Sequence, residues 1–129
     1  FRSVLAVKWY KCGGLRRCRE IAVVAEAGGL MANCAGTANG SYIEAIAAAH
    51  LCVTVPNHAF GAEFILGLPS VNESATILNR PIDLKEGMCN LPPGPGFGFD
   101  INREAIAKHA LAHIVVDASG YRSVAGGSA

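Results

Sequence analysis

The sequence predicts an α/β domain built on a parallel sheet. Three observations carry that expectation. Val4-Leu5-Ala6-Val7 is an apolar run with no polar break, as in a strand covered on both faces. Residues 15–27 then alternate apolar and charged positions at helical spacing and stop at Gly28-Gly29. A second short apolar run and a second helical segment follow, so the chain reads strand, helix, strand, helix with glycine turns between. That pattern requires parallel strands joined by right-handed crossovers.

The first strand carries Lys8 at its end, and Gly13-Gly14 open the turn after it. Burying an ammonium is expensive, so Lys8 either snorkels to water or projects into a site at the strand's C-terminal end. In the helix over 15–27, Leu15, Ile21, Ala22 and Ala25 form the apolar face, and Arg16, Arg17, Arg19, Glu20 and Glu26 the wet one. Leu30 to Gly36 is the second buried strand, and residues 37–41 form a loop. Ser41 is placed to cap the next helix, with Glu44 three residues on at the capping-box spacing. That helix, Tyr42 to Val53, is alanine-rich and nearly apolar, so it is expected to be buried. Ala59 to Ile65 reads as a weaker third strand. Sites in such sheets lie at the strands' C-terminal ends, here residues 8–11, 34–40 and 63–67.

From Pro69 the character changes. Residues 69–81 are polar and loop-like. Ile82 to Asn90 reads as two short strands around a Glu86-Gly87 turn. Leu91 to Phe99, rich in proline and glycine, excludes helix. Asp100 and Asn102 offer caps for a closing helix from Arg103 to His113, and residues 117–129 are expected to fray. The expected division is 1–68 for the βα units, 69–116 for the return segment and closing helix, and 117–129 for the tail.

Composition narrows the function. The 129 residues are 51% hydrophobic with a formal net charge of +1. They show neither the basic stripe of a nucleic-acid binder nor an apolar run of the ~18 residues that a membrane span needs. The five cysteines (12, 18, 34, 52 and 89) are odd in number and lack CxxC spacing, so they read as reduced thiols of a cytoplasmic protein. No ligand pair at zinc spacing is present. His109 and His113 are four apart on the expected closing helix, with no third ligand beside them. Asp83, Asp100 and Asp117 sit at turns and caps, and are poor ligands. Glu63, at the end of the third strand, is the carboxylate best placed near a site mouth; a structural hydrogen-bond acceptor is the other reading. The chain begins at Phe1, so it is expected to be a piece of something longer.

The ordered segments VLAVK, KCGGLRRCREIAVVAEAGGL, AHLCVTVPNHAFGAEF and LPPGPGFGFD resemble the C-terminal part of the enolase superfamily. The resemblance covers about residues 2 to 105 and is nearest to the muconate-cycloisomerase subgroup. It includes Lys8 followed by Gly13-Gly14 at the family spacing, and the ending Pro95-Gly-Phe-Gly-Phe-Asp100. It implies C-terminal βα units of a modified TIM barrel, plus the return segment to a capping domain. It implies Mg2+ or Mn2+ in the parent enzyme, held by three acidic residues that this chain does not supply. It also implies a small carboxylate substrate passing through an enolate-like intermediate, the remainder of the barrel and the capping domain as partners, and a homo-oligomer. Lys8 matches one of two lysines that face each other across the site, and is the implied acid/base. The strand after it ends without histidine, which fits the lysine–lysine subgroup. The subgroup's loop glutamate falls at Gly40, where this sequence departs from the subgroup. Asn39 beside it either hydrogen-bonds the substrate or caps the loop. Asn39, Gly40 and Glu63 are therefore the substrate-proximal candidates. The alternatives to a cycloisomerase are a related epimerase or dehydratase, or a non-catalytic structural or interaction piece.

Overall fold

The structure is a computed structural model that describes residues 3–34, 41–58, 62–63, 77–110 and 113–124. Strand β1 (Val4–Val7) pairs in parallel with β2 (Met31–Cys34), from Val4 opposite Met31 to Val7 opposite Cys34. Between them run a one-turn helix α1 (Trp9–Cys12) and the crossover helix α2 (Leu15–Ala27). The single turn of α1 falls where the sequence suggests only the end of the strand. Lys8 stays extended, and its carbonyl accepts from the N–H groups of Lys11 and Cys12, at 2.9 Å each. Gly13 and Gly14 then take φ of 86° and 105°, a reversal that side chains with a Cβ resist.

Helix α2 lies on the sheet through small side chains. Cys18, Ala22 and Ala32 are fully buried, and Val7, Cys34, Leu51 and Val55 complete this core. Coverage is one-sided. Leu5, Val7, Ala32 and Cys34 face the helices, whereas Val4 and Ala6 on the opposite face are exposed. The run Val4–Val7 was expected to be covered on both faces; among the described residues nothing covers the second.

Helix α3 (Tyr42–Cys52) follows, with the Ser41 hydroxyl accepting from the Glu44 N–H. Its residues 44–49 are all buried, because both sides of the helix are occupied. Leu51 and Cys52 join the core beneath the sheet. Ala45, Ile46 and Ala49 pack on Leu78, Ile82, Phe97 and Phe99 of the return segment. His50 joins the same contact, with Nε2 3.3 Å from the Phe97 carbonyl oxygen.

Of the expected third strand, Ala59–Ile65, only residues 62–63 are among those described, and pairing next to β2 is seen from His58. His58 bridges Ala32 in parallel, Ala32 N–H donates to Asn57 O (3.1 Å), and Glu63 N–H donates to Cys34 O (3.3 Å). The Asn57 side chain brackets the unit. Its Nδ2 donates to Leu30 O at 2.8 Å and to Ala22 O at 3.3 Å, tying strand, turn and helix.

The return segment folds on itself. Leu78 bridges Ile101 antiparallel, and Asn102 N–H donates to Ile77 O (2.7 Å). Asp83–Lys85 (β3) and Met88–Asn90 (β4) form the expected hairpin around Glu86-Gly87. The closing helix α4 (Arg103–His109) has its N–H groups capped by Asn102 Oδ1, 3.1 Å from Ala105 N. It is shorter than the expected span to His113. Residues His113–Asp117 (β5) instead pair antiparallel with Gly120–Val124 (β6), correcting the helix end and, over residues 117–124, the frayed tail expected from Asp117 to Ala129, whose last five residues lie outside the described ones. The run Ile114-Val115-Val116 favours strand over helix. Asp117 Oδ1 accepts from the Ser119 N–H and hydroxyl to close the turn. Those donors hold the Asp117 carboxyl below the usual carboxylate range.

Gly98 (φ 70°) sits so close to Pro92 that an added Cβ would lie 2.7 Å from the Pro92 carbonyl oxygen. Gly98→Ala is expected to destabilise the chain by about 1–3 kcal/mol, the range for backbone strain and overpacking. A urea midpoint unchanged from wild type would contradict that packing.

Candidate functional site

The alternation along β1 decides where Lys8 points. Residues two apart share a face, and Lys8 continues the extended backbone (φ −119°, ψ 113°). Its side chain therefore leaves the sheet with Val4 and Ala6, on the side away from α2. Lys8 is half-buried there, at the C-terminal end of the strand. The register sets Asn33 opposite Ala6, so Asn33 lies on the same face, one step back from Lys8. Its Oδ1 is enclosed and accepts no hydrogen bond among the described residues. Asn33 was not singled out from the sequence; the available signal was an amide inside an otherwise apolar strand.

Glu63 is brought to the same end of the sheet. Its N–H bonds the last carbonyl of β2, and its side chain is exposed. Asn39 and Gly40 lie outside the described residues. Asp117 closes a turn as expected, whereas Asp83 lies in β3, where Asn90 Nδ2 donates to it (2.9 Å), and Asp100 accepts from Asn79 Nδ2 (3.2 Å) while Asn102 supplies the helix cap.

The other face carries sulfur. All five cysteines are free thiols, with Cys18 and Cys34 buried. Cys18 is pushed up to about 12 by burial and the neighbouring Cys12. Cys34 is pushed further up by its hydrogen bond to Cys52 and by burial, and the same bond pulls Cys52 down. His58 is the third member: its imidazole and the two sulfurs lie within 4.8 Å of one another. The sequence offers no such set at zinc spacing, because the three come from β2, the end of α3 and the following strand.

This trio is the only group of three possible metal ligands among the described residues. Thiols are soft donors and imidazole a borderline one suited to zinc, whereas Mg2+ and Mn2+ select carboxylate and carbonyl oxygen. The described residues therefore do not fit a Mg2+ or Mn2+ centre by themselves.

Parallel βα units with helices on one side, and a lysine at a strand's C-terminal end on the other, are the arrangement found in a segment of a (β/α) barrel. The comparisons agree. Residues 2–105 match the enolase C-terminal domain-like family, and the chain belongs to it. It is 35% identical over 104 residues to muconate cycloisomerase 1 of Rhodococcus opacus, covering 81% of this chain and 27% of that one. Its structure is similar to 2-chloromuconate cycloisomerase from Rhodococcus opacus 1CP, with TM-score 0.71 and 33% identity over 84% of this chain and 28% of that one. It is also similar to an enolase from Gibberella zeae PH-1 solved with magnesium, formate and sulfate, with TM-score 0.69 and 25% identity over 82% and 24% of the two chains. The chain thus spans about a quarter of the length of the relatives it matches.

If the hard-metal ligands lie elsewhere, calorimetric titration of this chain with MgCl2 should give no saturable heat at millimolar concentration. Stoichiometric binding would overturn that reading of its carboxylates.

Proposed function

We propose that this chain forms the C-terminal βα units of a cycloisomerase acting on a small dicarboxylate of the muconate class. Lys8 is its proton-transfer residue. The observation that carries this reading is the position of Lys8: half-buried, at a strand's C-terminal end, on the sheet face opposite the helices. An amine held there can give a proton to, or take one from, a substrate carbon next to a carboxylate. Asn33 on the same face is placed to donate an amide hydrogen bond to a carboxylate. Glu63 belongs to the rim of that site, and Asn39 and Gly40 stay its substrate-proximal candidates on the sequence resemblance alone.

The remainder of the barrel and the capping domain complete the reading. Val4 is 40% and Val24 72% exposed, and Leu5, Ile21, Val24 and Leu30 line an open groove of about 650 Å³ beside β1. A preceding βα unit would cover that apolar surface, as lateral neighbours do in a closed barrel. The Mg2+ or Mn2+ of the complete site would stabilise the substrate's developing negative charge, with ligands contributed from outside this chain. Self-association of the parent protein belongs to the same proposal. No described helix is long and apolar enough to cross a membrane.

A chimera tests this. Residues 2–105 replace the matching segment of the Rhodococcus opacus muconate cycloisomerase, and muconate turnover is followed. Turnover is expected, and Lys8→Ala should lower it by about 10²–10⁴-fold, the usual contribution of a positioned acid/base. Unchanged turnover in a folded Lys8→Ala chimera would remove Lys8 from the chemistry. In the same chimera Gly40→Glu, which restores the subgroup's loop carboxylate, should raise cycloisomerase turnover. A large fall would mean instead that position 40 needs a backbone conformation only glycine reaches.

A further inference from the structure

We propose that Cys34, Cys52 and His58 form a binding site for a thiophilic d10 ion, zinc, on the helix side of the sheet. The site is separate from the Lys8 face and does not rest on the cycloisomerase reading. Cys34 and Lys8 are on opposite faces, because Cys34 pairs with Val7, one residue before Lys8. His58 pairs with Ala32, whose side chain shares the face of Cys34, so the imidazole is carried to the same side.

Three features support the site. First, the two sulfurs and the imidazole nitrogen are within 4.8 Å of one another. A tetrahedral zinc with bonds of about 2.0–2.3 Å holds its ligands roughly 3.5 Å apart, so each side chain needs to move by less than about an ångström. Second, His58 Nε2, one of the two ring nitrogens able to serve as the ligand, is enclosed and has no hydrogen-bond partner among the described residues. A buried ring nitrogen without a partner is costly, and a metal bond would satisfy it. Third, the surroundings are apolar: Cys34 and Cys52 belong with Val7, Leu51 and Val55 to the core between sheet and helices. Ion binding displaces the thiol protons to solvent and leaves two thiolates, one neutral imidazole and the ion with no net charge in that core. A water completes the fourth position.

The ion would clamp the end of α3 and the start of the third strand onto β2. That is the junction where the pairing to Glu63 begins.

The test uses the full chain and metal alone. Cobalt(II), a spectroscopic stand-in for zinc, should bind one equivalent with visible d–d bands and ultraviolet thiolate-to-cobalt absorption. Zinc should displace it and excess magnesium should not. Cys34→Ser, Cys52→Ser and His58→Gln should each weaken zinc binding by about tenfold or more, since disturbing even a ligand's supporting partner costs that much. Cys89→Ser, outside the trio, should bind as wild type. Because substitution at a buried thiol can unfold the chain, zinc protection of wild-type Cys52 from alkylation, mapped by mass spectrometry, gives a readout that needs no variant. Absence of thiolate absorption, full affinity in folded His58→Gln, or equal alkylation of Cys52 with and without zinc would each overturn the site.

Discussion

The period-two alternation of β1 and β2 divides the chemistry of this protein between two faces. Odd and even positions along four paired residues go to opposite sides. Leu5, Val7, Ala32 and Cys34 turn to the helices; Val4, Ala6, Asn33 and then Lys8 turn away. A one-residue slip would exchange the two sets, putting an ammonium and an amide into the core and two apolar pairs into water. The register is therefore held by burial on one side. It is reinforced by Asn57, whose backbone and side chain bond β2, the Leu30 turn and α2 together.

Small residues set how close the layers come. Cys18, Ala22 and Ala32 are fully buried at the helix–sheet contact, leaving no room there for a larger side chain. The same economy of volume brings the thiols together. Cys12 and Cys18 approach from the helix layer, Cys34 from the strand and Cys52 from α3, all in or against one core. Helix α3 is the hub, with the sheet core on one side and the Phe97–Phe99 loop on the other. This explains why a helix of 11 residues carries almost no polar face.

The open side of the sheet looks different. Exposed Val4 and Ala6 and the groove beside Leu5 and Leu30 are surfaces that a closed barrel would bury. The family match over residues 2–105 and the span of about a quarter of each relative give that surface its context.

Much of this was legible in the sequence. The glycine pairs bounded α2 correctly, Ser41 and Asn102 marked real caps, and Glu86-Gly87 marked a real hairpin, because each rests on local backbone chemistry. The order of motifs also named the family. What failed locally was residues 113–124, expected as a helix end and the start of a frayed tail, where the β-branched run Ile114-Val115-Val116 instead formed one arm of a hairpin. What local pattern could not supply at all was juxtaposition. Cys34, Cys52 and His58 meet, and Asn33 comes to share a face with Lys8, only because the parallel crossover lays β2 between its neighbours. Spacing along a chain reports which residues share an element, whereas contact between elements is fixed by packing and register.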